Sequence, residues 1–264
     1  MRVLFPFFLL VTGTVAGQDF ALNVPDSLRR YAHAVVREDE LVLDVISPSE
    51  VESRRRQVIT ILNKNGLEHA LLVTAYDKFQ SVREISATQY DVLGLPVKTY
   101  RKKDFQDIAY LDDVTMASDA RYLMLDLRNQ NPPFTLEFVV TTKSKGVLTY
   151  PDFLPQSSYG VSVENARCEV RVPVAQTLLY KGARSPEPDI TRNDKAVTYV
   201  WAFKNLPAIP DEPYNLPVSR LAPMVRLTPG QFEMGNFTGS FESWDGLARW
   251  NRQMQEALPP LNEK

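Results

Sequence analysis

Short runs of alternating apolar and polar residues fill the chain between residues 35 and 203. A two-residue period places successive side chains on opposite faces of a strand. Val35 to Ile46 is the first such region, with Leu41, Leu43 and Val45 on one parity. The polar Arg37-Glu38-Asp39-Glu40 inside it predicts an exposed turn or edge, and Ser47-Pro48-Ser49 breaks the run. Val58 to Leu62 is apolar on both parities, as in a strand covered on both faces. Asn65-Gly66 follows, the preferred pair for a two-residue hairpin, because both positions need positive φ. The return strand then runs from Leu67 to Tyr76, with Leu71, Val73 and Ala75 facing one way.

Val82 to Tyr90 and Leu95 to Tyr100 form the next predicted pair, joined by a turn at Asp91-Val92-Leu93-Gly94. Pro96 has no backbone N–H to give to a ladder, so its strand belongs at an edge. Lys102 to Tyr110 reads as irregular or a single helical turn, and Asp112 to Asp126 carries no clear pattern. Phe134 to Thr142 alternates cleanly, with Phe134, Leu136, Phe138 and Val140 on one face. Val161 to Val174 does the same: Ala166, Cys168, Val170 and Val172 point inward, while Arg167, Glu169 and Arg171 point outward. Ala196 to Phe203 is apolar on both faces. The proline-rich Leu206 to Pro217 should lie extended over the sheet surface.

Only the end reads as helix. Ser243 is a good N-cap, and Leu247, Trp250, Met254 and Leu258 recur at helical spacing before Pro259-Pro260 stops the run. A Gly-rich polar break near residues 228–242 separates this helix from the strands. Eight or more strands with almost no helix between them predict an all-β fold, an antiparallel β-sandwich with a short C-terminal helix.

The N-terminus bounds the location. Arg2, the apolar Val3 to Val11 and the small residues before Gln18 have the three parts of a secretory signal, with cleavage between Gly17 and Gln18. The apolar run is about half of what a membrane span needs. No Cys follows the cleavage site to take a lipid, and no later segment is long and apolar enough to span a bilayer. The expectation is an exported mature chain, periplasmic or at the cell surface. Removing the signal takes away one cation, Arg2, from 30 Lys and Arg against 32 acids, moving the net charge from −2 to −3. That near-balance gives no footprint for nucleic acid or anionic lipid. The one basic run, Arg54-Arg55-Arg56, reads as the solvated start of a strand. Cys168 is the single cysteine, so stability must come from packing, for which 44% hydrophobic residues suffice.

Several blocks now add up to a resemblance. Pro25-Asp26-Ser27-Leu28 with Ala32-His33-Ala34-Val35-Val36-Arg37 resembles the start of the DUF3857 domain. Further matches are Val58-Ile59-Thr60-Ile61-Leu62-Asn63-Lys64-Asn65-Gly66, Tyr76-Asp77-Lys78-Phe79, Tyr90-Asp91 with Gly94, Lys102-Lys103-Asp104 and Ser118-Asp119-Ala120-Arg121. Pro151-Asp152-Phe153, Asn205-Leu206-Pro207-Ala208-Ile209 and Glu212-Pro213-Tyr214 complete the set. The resemblance runs over residues 20–258. It implies an exported bacterial module of unknown function, frequent in Bacteroidota, with an immunoglobulin-like sandwich. It also implies a place N-terminal to a transglutaminase-like, papain-type core with a Cys-His-Asp triad. In such proteins the segment resembling Phe241-Glu242-Ser243-Trp244 and Trp250 leads into that core. The expected organisation is therefore a signal at 1–17, a DUF3857-like module at 18–235, and a linker and helix at 236–264, with the core itself missing from this chain.

Within the residues present, no catalytic signature stands out. Cys168 lies on the apolar parity of its strand, where a free Cys is usually inert, and it does not match the family's catalytic Cys. His33 and His69 are far apart in sequence and lack zinc spacing; Asp112, Asp113, Asp119 and Asp126 lack a calcium-loop pattern. No Gly-x-Ser-x-Gly elbow or phosphate loop appears. Tyr76, Phe79, Tyr90, Tyr100, Tyr150 and Tyr159 sit near strand ends and are candidates for stacking on sugars or anchoring a protein, against the plainer reading of core edges. The expectation is a non-catalytic module without catalytic, cofactor or metal residues, accessory to the core. The alternative is a stand-alone carbohydrate- or protein-binding module at the bacterial surface.

Overall fold

The structure, a computed structural model, describes residues 23–110 and 119–257. Strands dominate it: β1 Ala34–Ser47, β2 Glu50–Ile61, β3 Leu71–Tyr76, β4 Gln80–Tyr90, β5 Pro96–Arg101, β6 Gln106–Ala109, β7 Arg121–Asp126, β8 Phe134–Lys145, β9 Val161–Pro173, β10 Leu178–Ala183, β11 Asp189–Arg192, β12 Ala196–Leu206, β13 Met224–Pro229, β14 Gln231–Met234 and β15 Phe237–Ser240. Three α-helices join them: α1 Asp26–Arg29, α2 Val218–Leu221 and α3 Trp244–Glu256.

Eight strands form one sheet in the order β11-β12-β9-β1-β2-β8-β4-β5, and β3-β7-β6, β10-β13 and β14-β15 form three small antiparallel sheets. Every pair in the large sheet is antiparallel except β1 with β9, which run parallel. One face of that sheet is apolar. Leu41 stands beside Arg55 of β2 and Cys168 of β9, and Cys168 beside Trp201 of β12, so the inward parity read on β9 continues across four strands. Leu72 of β3, Leu123 and Leu125 of β7, and Val225 and Leu227 of β13 join the same buried cluster from the small sheets. Burial of this shared apolar surface holds the sheets together. The opposite face is solvated and charged over most of its extent; at one end α1 caps it, with Leu28 and Val35 in a second apolar cluster.

Several expectations need correction. Asn65-Gly66 does not turn a hairpin: residues Lys64–Ala70 form a 3-10 helical turn capped by the Asn63 side chain, and β3 pairs with β7. The β2 strand is already hydrogen-bonded on both sides, by β1 and β8, so no edge remains for β3. In β3, Leu71, Val73 and Ala75 do share one face, and it is the more exposed one: Leu72 on the other parity is buried, whereas Val73 is 45% exposed. Arg37-Glu38-Asp39-Glu40 is no exposed turn. It lies inside β1, between β2 and β9, with a bulge after Val36 and with Arg37 and Asp39 buried. Arg54-Arg55-Arg56 sits mid-strand in β2, and the 228–242 break contains the β14–β15 hairpin. The turn after β1, the edge position of Pro96 and the Ser243 cap follow the expected pattern: β5 is an outermost strand, and Ser243 Oγ accepts from the Gly246 N–H at 3.1 Å. Leu258 lies outside the described residues.

Candidate functional site

Strand alternation sends the three consecutive arginines of β2 to opposite faces. Arg56 reaches the charged face, where it bonds Glu38 and Glu137. There Tyr90 donates to Glu137 at 2.7 Å, and burial together with that carboxylate pushes the Tyr90 phenol up to about 12. Further along this face Glu169 is held between Arg167 and Arg171. Burial pushes the Glu169 carboxyl up, but those two guanidiniums outweigh it and hold it below its usual range. Arg56 thus ties β2 to β1 and β8, and Arg167 with Glu40 and Arg171 with Asp44 tie β9 to β1 across the solvated surface.

Arg55 points the other way, into the apolar face. Its Nε donates to Asp39 Oδ1 at 2.9 Å and its Nη2 to Oδ2 at 2.6 Å, a bidentate pair, and Gln57 donates to the same carboxylate at 3.2 Å. The Asp39 side chain is fully buried, whereas that of Arg55 is 39% exposed. Burial works against the Arg55 charge, and Asp39 more than offsets it, so the guanidinium stays protonated.

The exposed side of Arg55 opens into a cleft of about 560 Å³. Its floor is the apolar face of β1, β2 and β8, and its walls are Val73 and Thr74 of β3 and the segment from Val147 to Asp152. Pro151 and Asp152, part of one of the blocks that carry the family resemblance, stand in that wall. The cleft mixes apolar side chains with hydroxyls, the Arg55 cation and the Asp152 carboxylate, a lining suited to holding a ligand. It contains no nucleophile next to a base. Cys168, fully buried nearby, has its thiol pushed up to about 12, by burial first and then by Asp39, so it stays protonated and unreactive.

The remaining sequence candidates are scattered. His33 and His69 come within electrostatic reach of each other, and Ser158 Oγ lies 3.2 Å from His69 Nε2. Glu68 approaches that same nitrogen at 3.3 Å rather than the opposite one, so no Ser-His-acid relay is formed. Among the described residues no three His, Cys, Asp or Glu side chains gather to hold a metal. Asp126 instead accepts from Arg128, which takes its carboxyl down to about 2. Asp112, Asp113, Gly17 and Gln18 lie outside the described residues. The six aromatic candidates form no patch: Tyr100 and Tyr150 are buried, and Phe79 is exposed on its own turn. Two other aromatic clusters form among the described residues, Tyr180 with Tyr199 and Trp201, and Phe232 with Phe241 and Trp250; the first escaped the sequence reading because it joins β10 to β12 through tertiary packing. Trp244 is 86% exposed, and Trp250 meets Phe232 edge to face at 5.2 Å.

The fold and the cleft define a mostly-β module built around one large mixed sheet. The family model described as a Domain of Unknown Function with solved structure, DUF3857, matches residues 47–210, and this chain belongs to that family. No curated protein matches the chain. A crystal structure of a "putative protease" from Parabacteroides distasonis ATCC 8503 resembles it with a TM-score of 0.59 at 13% identity, over 74% of this chain and 40% of that one. That is a likeness of fold. Legionella pneumophila aminopeptidase A (TM-score 0.37, 13% identity, 76% of this chain and 22% of that one) is more distant. So is an M1 zinc metallopeptidase from Deinococcus radiodurans (TM-score 0.37, 10% identity, 79% and 46%). The chain spans less than half the length of each of these structures.

Proposed function

We propose that this chain is an exported, non-catalytic module that assists a transglutaminase- or papain-like core, with its sheets arranged as a variant of the immunoglobulin-like sandwich. Packing of the three-stranded sheet against the apolar face of the large one supports the sandwich reading. Family membership supports the accessory role, as does the occurrence of this fold within a longer protein described as a putative protease. The single observation that carries the proposal is Trp244. It opens α3, beyond the family match, and leaves a large aromatic surface in solvent while Trp250 packs inward. An exposed Trp is a common anchor at interfaces. The test starts at the gene. Reading the frame beyond codon 264, and the neighbouring genes, should reveal a core bearing Cys, His and Asp. That core, purified, should bind this chain, and Trp244→Ala should weaken binding about tenfold without lowering the melting temperature. Absence of such a core from both places, or equal binding by the variant, overturns the proposal.

A second reading is favoured by the cleft over Arg55: a carbohydrate- or protein-binding module at the cell surface. A cleft of this size with a buried-carboxylate-oriented guanidinium serves recognition directly.

A further inference from the structure

Arg55 is the one cation lining the cleft among the described residues. A guanidinium has five N–H donors in a fixed plane. Asp39 takes two of them from the side, through Nε and Nη2, leaving three, of which one on Nη1 and one on Nη2 form the end-on fork. The geometry is rigid, because Asp39 is fully buried and is itself held by Gln57. A guanidinium fixed in this way presents an end-on fork that matches a planar carboxylate.

The floor beyond Arg55 has a regular chemistry. Going down β2 from Arg55, the next residues on the same face are Ser53 and Val51, and across the ladder they stand beside Thr142 and Ser144 of β8. Ser53 and Thr142 both lie within the β ladder, but their hydroxyls make no side-chain hydrogen bond among the described residues. Leu43 flanks Ser53 on the other side. Same-face positions on a strand repeat at about 7 Å, which is also the repeat of an extended peptide. A hydrocarbon chain laid here would cover the two hydroxyls and give them no partner. A peptide would give them amide groups and place apolar side chains against Leu43 and Val140.

We propose that this cleft binds the C-terminal end of an extended apolar peptide, with its carboxylate on the free end of Arg55 and its backbone amides on the Ser53 and Thr142 hydroxyls. The inference deepens the second reading above and rests on it. The cleft from Arg55 to Val51 is about 13 Å long, enough for roughly four peptide residues.

The test is fluorescence anisotropy with the whole chain and a fluorescein-labelled Leu-Ala-Val-Ala peptide, as the free acid and as the C-terminal amide. The acid should bind saturably, and the amide about tenfold more weakly, since it lacks the charge that Arg55 would bond. Val73→Trp should abolish binding by filling the cleft from an exposed position, with the melting temperature unchanged. Ser53→Ala with Thr142→Val should weaken binding of the acid while leaving the Arg55 pair intact. Equal affinity for acid and amide, no saturation by millimolar peptide, or full binding by the Val73→Trp variant overturns the proposal. Displacement of the peptide by dodecanoate at lower concentration than by unlabelled peptide also overturns it, in favour of an acyl carboxylate. None of these outcomes touches the accessory reading, which stands or falls on the neighbouring core.

Discussion

His33 and His69 lie on opposite sides of the β1–β2 hairpin in sequence and near each other in the fold. Burial lowers the His69 pKa below its ordinary 6.5, Glu68 opposes the shift, and His33 adds to it. The folded state therefore favours the neutral ring, whereas the unfolded chain takes up a proton first as the pH falls. The stability that depends on neutral His69 is full above about 6.5 and is lost as the pH falls from there through the folded value. Urea midpoints measured from neutral to mildly acidic pH should fall, and His69→Gln should flatten that fall. An unchanged slope in the variant would remove His69 as its source. At this scale sequence was partly legible. The inward parity of Cys168 was plain from alternation, and the structure buries it completely. The burial of Asp39 was not, because its partner Arg55 sits on another strand and only the β1–β2 register brings them together.

At the scale of elements, Gly66 shows a local signal overridden by its surroundings. An Asn-Gly pair invites a hairpin. Here the Asn63 side chain accepts from the Asn65 N–H and starts a 3-10 turn, and the glycine serves a close approach instead: a Cβ on it would stand 2.3 Å from the His33 carbonyl oxygen. Gly66→Ala should therefore destabilise the protein by about 1–3 kcal/mol through forced displacement of the β1 start. Chemical denaturation would show it, and a variant of unchanged midpoint would mean that the turn moves aside freely. The charged stretch in β1 misled for a related reason. Four polar residues in a row read as solvent-facing, but each found a partner on a neighbouring strand, such as Glu164 for Arg37 at 2.5 Å and Arg167 for Glu40 at 3.4 Å. The short strands β6, β7, β10, β11 and β13 went unread because four to six residues give too little periodicity.

In the whole molecule, the large sheet and the terminal hairpin–helix unit differ in how they are held. The central strands β1, β2 and β9 are paired on both sides and packed on a common core. Helix α3 spans 13 residues and is seated on β14–β15 mainly through Phe232 and Trp250. A helix of that length is marginal by itself in water, so its stability depends on this seat. Amide hydrogen exchange should show α3 opening well before the strands of the large sheet, as a local event with a smaller free energy than global unfolding. Equal protection in both would mean that the unit unfolds only with the whole.

What the sequence determined by itself is the set of properties carried by near neighbours: the strand character of the long runs, the inward face of β9, the edge position of Pro96, the cap and apolar face of α3, and the ordered blocks that mark the family. Each depends on spacing within a few residues. The tertiary structure decided which strands meet: that β1 runs parallel to β9, that β3 leaves the large sheet for β7, and that Asp39 orients Arg55 toward a cleft whose walls come from β3 and the segment ending at Asp152. Long-range pairing joins residues far apart in the chain, and the charge and hydroxyl pattern that makes a binding surface exists only once those strands lie side by side.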